Sequence, residues 1–156
     1  MLVLRGENMI YTPMTKKALK LCFEAHKEQV DKSGMPYVFH PFHLAEQMKG
    51  NTFANGTWDS MDALNPALTE DTEYTINDLT SMGFGKDITN AIALLTHADG
   101  VEYMDYVCAI KDNPIAKAVK LADLKHNSDL SRLDDINEKA LQRKEKYQKA
   151  IALLEE

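Results

Sequence analysis

Three polar side chains, Asp123, His126 and Asn127, recur at steps of three and four residues in a segment that is otherwise rich in apolar residues. This spacing places them on one face of a helix. A carboxylate, an imidazole and an amide on a half-buried face need polar partners, and a metal ion or a phosphate group supplies them. The segment is therefore the first candidate for a functional site.

Polar groups concentrate in three further stretches that a core helix would not select. These stretches are residues 26–34, the His40-Pro41 pair and the Glu70-Asp71-Thr72 triplet. His40 stands before a proline and away from any apolar stripe, which favours a ligand position. The three stretches and the 120–127 segment together define a candidate site built from distant parts of the chain.

The other histidines have simpler interpretations. His26 lies on the apolar face of its helix and is expected to be a hydrogen-bonded core residue. His43 is expected at the surface or in support of the site. His97 ends an apolar helix, where an imidazole interacts with the last carbonyl groups. The charged run Glu138–Lys149 is expected to be a solvated helix face.

Composition indicates one globular domain spanning residues 1–156. Hydrophobic residues make up 44% of the chain and charged residues 27%, while seven glycines and five prolines favour long helices. The formal charge of -6 argues against general affinity for nucleic acid or an anionic membrane. A phosphorylated partner would need a local cationic site or a bound metal ion.

Two cysteines and the opening residues indicate the compartment. Cys22 and Cys108 each lie among apolar helix residues, which predicts two buried, reduced thiols and no disulfide framework. No run of residues approaches the length of a membrane span. The first residues lack the features of a signal peptide, and residues 1–8 form an expected loose leader before Met9. A cytoplasmic protein is predicted; the oligomeric state is left open.

Helical periodicity dominates the chain and predicts an all-α bundle of irregularly packed helices, with no sheet larger than a short hairpin. Residues 49–69 are an atypical loop with a helical turn at 58–64. The predicted helices span Thr15 to Ser33, Pro41 to about Lys49, Thr75 to Met82, Lys86 to Leu95, Glu102 to Lys111, Pro114 to about Ser128, and Asn137 to Leu154.

Three motifs in order resemble the metal-dependent HD phosphohydrolases, in particular the (p)ppGpp-hydrolase domain of RelA/SpoT proteins. AHKEQVDKSGMPYVFHP is similar to the family pattern AHxGQxRKSGxPYxxHP, EDTEYTINDL is similar to its EDT segment, and KLADLKHNSDLSRL is similar to its KxADxxxN segment. The resemblance covers about residues 15–154. It implies a stand-alone HD-domain-like helical bundle.

The resemblance also implies roles for individual residues. His40 and Asp123 match two ligands of a divalent ion, usually Mn²⁺, and Glu70 and Asp71 match the pair that positions the attacking water. The positions expected near the nucleotide are Lys32, Lys120 and Asn127. Imidazole and carboxylate ligands suit a divalent first-row metal, which would polarise a phosphoryl oxygen.

Two expected ligands of the HD pair are absent. Where the family reads LLHDVVEDT, this chain reads LNPALTEDT, so that Pro66 and Ala67 occupy the HD positions. Asp31 also stands where the family usually has arginine. The segment before Glu70 differs from the family although the motifs on both sides of it match. Three explanations stay open: divergence into a pseudoenzyme, replacement by design or recombination, and a local frame error. Asp59 and Asp62, one turn apart, are candidate substitutes for the lost ligands.

Two classes of function stay open. The first is a metal-dependent hydrolase that removes pyrophosphate from guanosine 3′,5′-bis(diphosphate) or a similar small phosphorylated nucleotide. The second is a catalytically degenerate relative that lacks the metal site and acts as a nucleotide-binding or non-catalytic protein. Metal content separates the two classes.

Overall fold

The chain folds as an all-α bundle, as predicted. The structure, a computed structural model, describes residues 13–47, 52–53, 56–57 and 74–156. Its helices are α1 (Pro13–His26), α2 (Phe39–Gln47), α3 (Ile76–Ser81), α4 (Lys86–Leu95), α5 (Tyr103–Ile110), α6 (Pro114–Asn127) and α7 (Glu138–Glu155), with a 3₁₀ turn at Leu130–Arg132. A two-residue antiparallel pairing, β1 (Thr52–Phe53) with β2 (Gly56–Thr57), is the only sheet in these ranges.

Helix α6 is the centre of the bundle and carries most of the candidate site. It packs against α2, α4 and α7, while α5 packs against α4 and α7. Its buried residues are Ile115, Ala116, Val119, Lys120 and Leu124. Of its polar residues, Lys120 is buried and Asp123 and His126 are half-buried, whereas Lys125 and Asn127 near its end are exposed.

Local sequence signals account for the ends of this central helix. Asn113 is the N-cap, and its side-chain oxygen accepts a hydrogen bond from the backbone N–H of Ala116. Pro114 follows at the first helical position, where a missing N–H breaks no helical bond. Lys125 lies in the last turn, where its positive charge complements the helix dipole.

The apolar core runs through the whole bundle. The largest side chains with essentially no exposure are Leu79, Ile92, Val107, Ile110, Val119, Leu124 and Leu154, together with His26. The predicted capping box of α3 is present: the Thr75 hydroxyl accepts from the N–H of Asp78, and the Asp78 carboxylate accepts from the N–H of Thr75. None of the helices in the described ranges is long and apolar enough to cross a membrane.

The first predicted helix is too long. Helix α1 begins at Pro13 and ends at His26, whereas the sequence predicted a helix from Thr15 to Ser33. The Asp31 carboxylate accepts hydrogen bonds from the backbone N–H groups of Ser33 and Met35, and Gly34 has a φ of 77°. An aspartate that satisfies local N–H groups favours a turn over a helix. Val30, four residues after His26 and inside the predicted helix, is 63% exposed.

One cysteine prediction is confirmed and the other is wrong. Cys22 has no exposed surface, and burial raises the pKa of its thiol to about 12. Cys108 is exposed, because α5 turns Tyr106, Val107 and Ile110 into the core and leaves the intervening position outside. Both thiols are free.

Candidate functional site

His40 and Asp123 meet although 83 residues separate them. The proline bond after His40 lies in the first turn of α2, and the packing of α2 on α6 brings His40 Nε2 to 3.1 Å from Asp123 Oδ1. Both side chains are largely buried, with 10% and 22% of their surface exposed. The expected proximity of the two residues is confirmed. Their role as metal ligands stays a prediction.

Asp123 is the hub of the polar cluster. Its Oδ1 also accepts from Asn127 Nδ2 at 2.7 Å, and its Oδ2 lies 3.1 Å from Lys120 Nζ. Burial by itself would raise the pKa of this carboxyl, but the hydrogen bond from His40 and the charge of Lys120 outweigh it and hold the pKa at about 2. Asp123 is therefore a carboxylate at any physiological pH.

Three histidine rings stack beside this hub. His126 Nδ1 is 2.6 Å from His40 Nδ1, and the ring centroids of these two residues are 4.8 Å apart. The ring of His43 stacks on His126 at 4.2 Å. Burial, and then the positive charge of Arg132, lower the pKa of His126 to about 4. His43, predicted at the surface or in support of the site, is half-buried and contacts the site through the ring of His126.

A cleft of about 490 Å³ opens from this cluster. All three predicted nucleotide-contacting residues, Lys32, Lys120 and Asn127, line it together with His40 and Asp123. Basic side chains on the lining outnumber acidic ones by five to three, the basic ones being Lys32, Lys120, Arg132, Arg143 and Lys146. The chain as a whole is acidic, so this cleft is a local reversal of its charge.

Cations crowd together in this cleft. Partial burial and the neighbouring positive charge of Arg143 lower the pKa of Lys32. Lys146 Nζ lies 3.8 Å from the centre of the Tyr103 ring, and Lys120 Nζ lies 5.2 Å from that of Tyr106. Like charges held close together indicate a place where an anion would be stabilised.

Sequence reasoning missed Arg132, Arg143 and Lys146. The last two belong to the run predicted to be a solvated face of the final helix, yet α7 packs on α6 and turns them towards the cleft. Arg143 is half-buried, so the interpretation of the run Glu138–Lys149 as a solvated face is wrong for this residue, whereas Lys146 is exposed as predicted and also lines the cleft. A usable signal was present, because Arg143, Lys146 and Tyr147 are spaced three and four residues apart and share one helix face.

Asp31 does not leave an unpaired negative charge in the cleft. Beside the two backbone N–H groups that it binds, its Oδ2 lies 3.6 Å from Arg132 Nη2. Arg132 also donates to the carbonyl of His126 at 3.1 Å, and the Arg132 carbonyl accepts from the Ser33 hydroxyl at 2.8 Å. Asp31 therefore ties the 27–38 loop to the end of α6.

Of the remaining predicted residues, His26 and His97 are described by the structure and six others are not. His26 is buried and donates from Nδ1 to Gln29 Oε1 at 2.7 Å, which confirms a satisfied core histidine. His97 follows the C-cap of α4 and donates from Nε2 to the carbonyl of Val101 at 2.7 Å, so the prediction that it interacts with the last carbonyl groups of that helix is wrong. The residues that lie outside the described ranges are Asp59, Asp62, Pro66, Ala67, Glu70 and Asp71.

The described donors alone do not fit a divalent ion. In the described ranges, no group of three His, Cys, Asp or Glu side chains is arranged to hold a metal. His40 Nε2 and Asp123 Oδ1 are at hydrogen-bonding distance, and the Lys120 ammonium lies against the other carboxylate oxygen. Catalytic sites for such ions commonly use three or more protein donors.

No known protein-family model matches the chain. The resemblance to the HD phosphohydrolases therefore stays a prediction from the three sequence motifs.

Proposed function

We propose that the cleft binds a small phosphorylated nucleotide of the guanosine 3′,5′-bis(diphosphate) type. The observation that carries this proposal is the local excess of basic side chains in a chain of formal charge -6. Guanidinium and ammonium groups are the usual partners of phosphate oxygens, and Arg143 offers a planar pair of donors. The motif resemblance supplies the nucleotide class.

The volume and the lining support a ligand of this size. A cleft of about 490 Å³ lies in the range typical of small-molecule sites. Tyr37, Tyr103 and Tyr147 line it beside the cations, so aromatic surface is available next to the proposed phosphate positions. Asn127 adds an amide that is anchored on Asp123.

Calorimetric titration of the purified chain with guanosine 3′,5′-bis(diphosphate) tests this proposal. Arg143→Gln is expected to weaken binding at least tenfold, because a charge-assisted phosphate contact contributes about 1.5–3 kcal/mol. Lys149→Gln is the matched control, since Lys149 is 68% exposed on the same helix and pairs with Glu145. No binding by the unaltered chain, or equal losses in both variants, would refute the proposal.

Metal-dependent hydrolysis of the same nucleotide is the second candidate. It is supported by the juxtaposition of His40 and Asp123, the two positions that resemble family metal ligands. If an Mn²⁺ ion were held there, it would supply Lewis-acid chemistry at a phosphoryl oxygen. The described donors do not complete such a site, so we expect little metal in the purified chain and hydrolysis far below that of an intact relative.

Elemental analysis beside a manganese-supplemented hydrolysis assay distinguishes the two candidates. Pro66→His with Ala67→Asp restores the residue types of the HD pair and is expected to raise metal content and turnover. Pro66→Asn with Ala67→Ser is a control for changing the segment without adding metal donors. One tightly bound metal per unaltered chain with rapid turnover would instead establish the enzyme and show that other residues, foremost Asp59 or Asp62, complete the site.

A further inference from the structure

We infer that Arg132 is a positioning residue: it holds the loop of residues 27–38 against the end of α6 and thereby sets Lys32 opposite Arg143 across the cleft. The inference rests on the proposed function for the ligand that Lys32 would contact. The hold on the loop is a property of the unliganded chain.

Arg132 joins the loop to α6 through three contacts. Its Nη2 lies 3.6 Å from Asp31 Oδ2, and its backbone carbonyl accepts a hydrogen bond from the Ser33 hydroxyl at 2.8 Å. Its Nη1 donates to the carbonyl of His126, in the last turn of α6, at 3.1 Å. The side chains of Asp31 and Arg132 are 23% and 28% exposed, so salt screens this ion pair less than a pair on an open surface.

Lys32 lies between the two loop residues that Arg132 contacts, Asp31 and Ser33. The loop is closed by its own hydrogen bonds: the N–H of Asp31 donates to the carbonyl of Met35 at 2.8 Å, and the N–H groups of Ser33 and Met35 donate to the Asp31 carboxylate. Because these bonds make the loop one compact unit, its position depends on where it is attached. A change at Arg132 should therefore move Lys32.

The contacts of Arg132 oppose a repulsion across the cleft. Lys32 and Arg143 both line the cleft, and the pKa of Lys32 is lowered by burial and then by the positive charge of Arg143. No carboxylate in the described part of the chain lies within salt-bridge distance of either residue. A phosphate between the two cations would turn this repulsion into attraction, so the loop is arranged for an anion before one binds.

Hydrogen exchange of the unliganded chain, measured by mass spectrometry on peptides that cover residues 27–38, tests the hold on the loop. Arg132→Gln should make these amides exchange about fivefold faster, the effect of losing one partly buried ion pair. Asp31→Asn keeps an oxygen for the two N–H groups but loses the charge, and should act in the same direction. Arg132→Lys should largely restore slow exchange. Lys111→Gln is the matched control, since Lys111 pairs with Glu156 at 3.7 Å at the end of α5.

Calorimetric titration with guanosine 3′,5′-bis(diphosphate) tests whether Arg132 acts on the ligand through Lys32. Arg132→Gln should weaken binding about fivefold in the otherwise unaltered chain and by less than about twofold in a chain that carries Lys32→Gln. The two losses are not additive when one residue acts through the other. A guanidinium that contacted the phosphate itself would give equal losses in both backgrounds.

Two outcomes would overturn the inference. They are loop exchange in Arg132→Gln and Asp31→Asn that is no faster than in Lys111→Gln, and additive losses in the binding measurements. If the unaltered chain does not bind the nucleotide, the proposed function fails, whereas the exchange rates still decide whether Arg132 holds the loop. Circular dichroism of each variant verifies folding, and Asp31→Asn keeps the test decisive if Arg132→Gln unfolds.

Discussion

At the scale of single residues, Lys120 and Asp123 show that each charge in the candidate site depends on an opposite charge beside it. The Lys120 ammonium lies against the Asp123 carboxylate, and Lys120 is one of the buried residues of α6. A charge in such a position is tolerated only while its partner is present. The site is therefore also part of what stabilises the fold.

Lys120→Met should lower the free energy of unfolding by about 2–4 kcal/mol, because it leaves Asp123 with one fewer partner in a desolvated position. Urea unfolding followed by circular dichroism measures the loss. Lys125→Met is the matched control: Lys125 is 60% exposed in its pair with Glu155, so it should change stability by less than about 1 kcal/mol. Comparable effects in both variants would mean that the contact with Asp123 contributes little.

His126 should make the protein sensitive to mild acid. Its pKa is lowered from 6.5 to about 4 in the folded chain, so between these pH values the unfolded chain binds a proton that the folded chain does not. Stability must then fall as the pH drops from 6.5 towards 4. Urea midpoints at pH 7 and pH 4.5 should differ less in His126→Asn than in the unaltered chain. An unchanged difference would assign the acid sensitivity to other groups.

At the scale of elements, the sequence predicted the helices with strong local signals and failed where side chains compete with the backbone. The capping box at Thr75 and the Asn113-Pro114 start of α6 are short-range signals, and both helices begin where expected. Helix α1 ends at His26, and in the turn that follows the Asp31 carboxylate binds two backbone N–H groups, which periodicity cannot reveal. The convergence of Arg143 and Lys146 on the cleft depends on how α7 packs against α6, which is a tertiary property.

The N-cap of α6 gives an element-scale prediction. Asn113→Ala removes the side-chain acceptor for the N–H of Ala116 and should lower the free energy of unfolding by about 1 kcal/mol. Thermal or urea unfolding measures the change. Asn90→Ala, at an exposed interior position of α4, should be neutral or slightly stabilising because alanine has the higher helix propensity. Equal losses at both positions would argue against a capping contribution.

At the scale of the whole molecule, charge is separated between one cleft and the remaining surface. The chain carries 24 acidic and 18 basic residues, yet the lining of the cleft has a basic excess. Such an arrangement attracts a small anion locally while it repels extended polyanions over longer distances. Composition alone predicted the absence of general nucleic-acid affinity, but it could not place the cationic cleft.

Because Cys22 is buried and Cys108 is exposed, the reaction rates of the two thiols can report local opening of the helical bundle. Cys108 should react with an aromatic disulfide reagent at the rate of an open thiol, whereas Cys22 should react only when α1 separates from the core, since burial keeps its thiol protonated. The rate of the slow phase would measure how often α1 opens. Cys108→Ser should remove the fast phase and leave the slow one. If both thiols reacted equally fast, α1 would have to separate from the core freely. The rate of the slow phase, measured as nucleotide is added, would report how much ligand binding reduces the opening of α1.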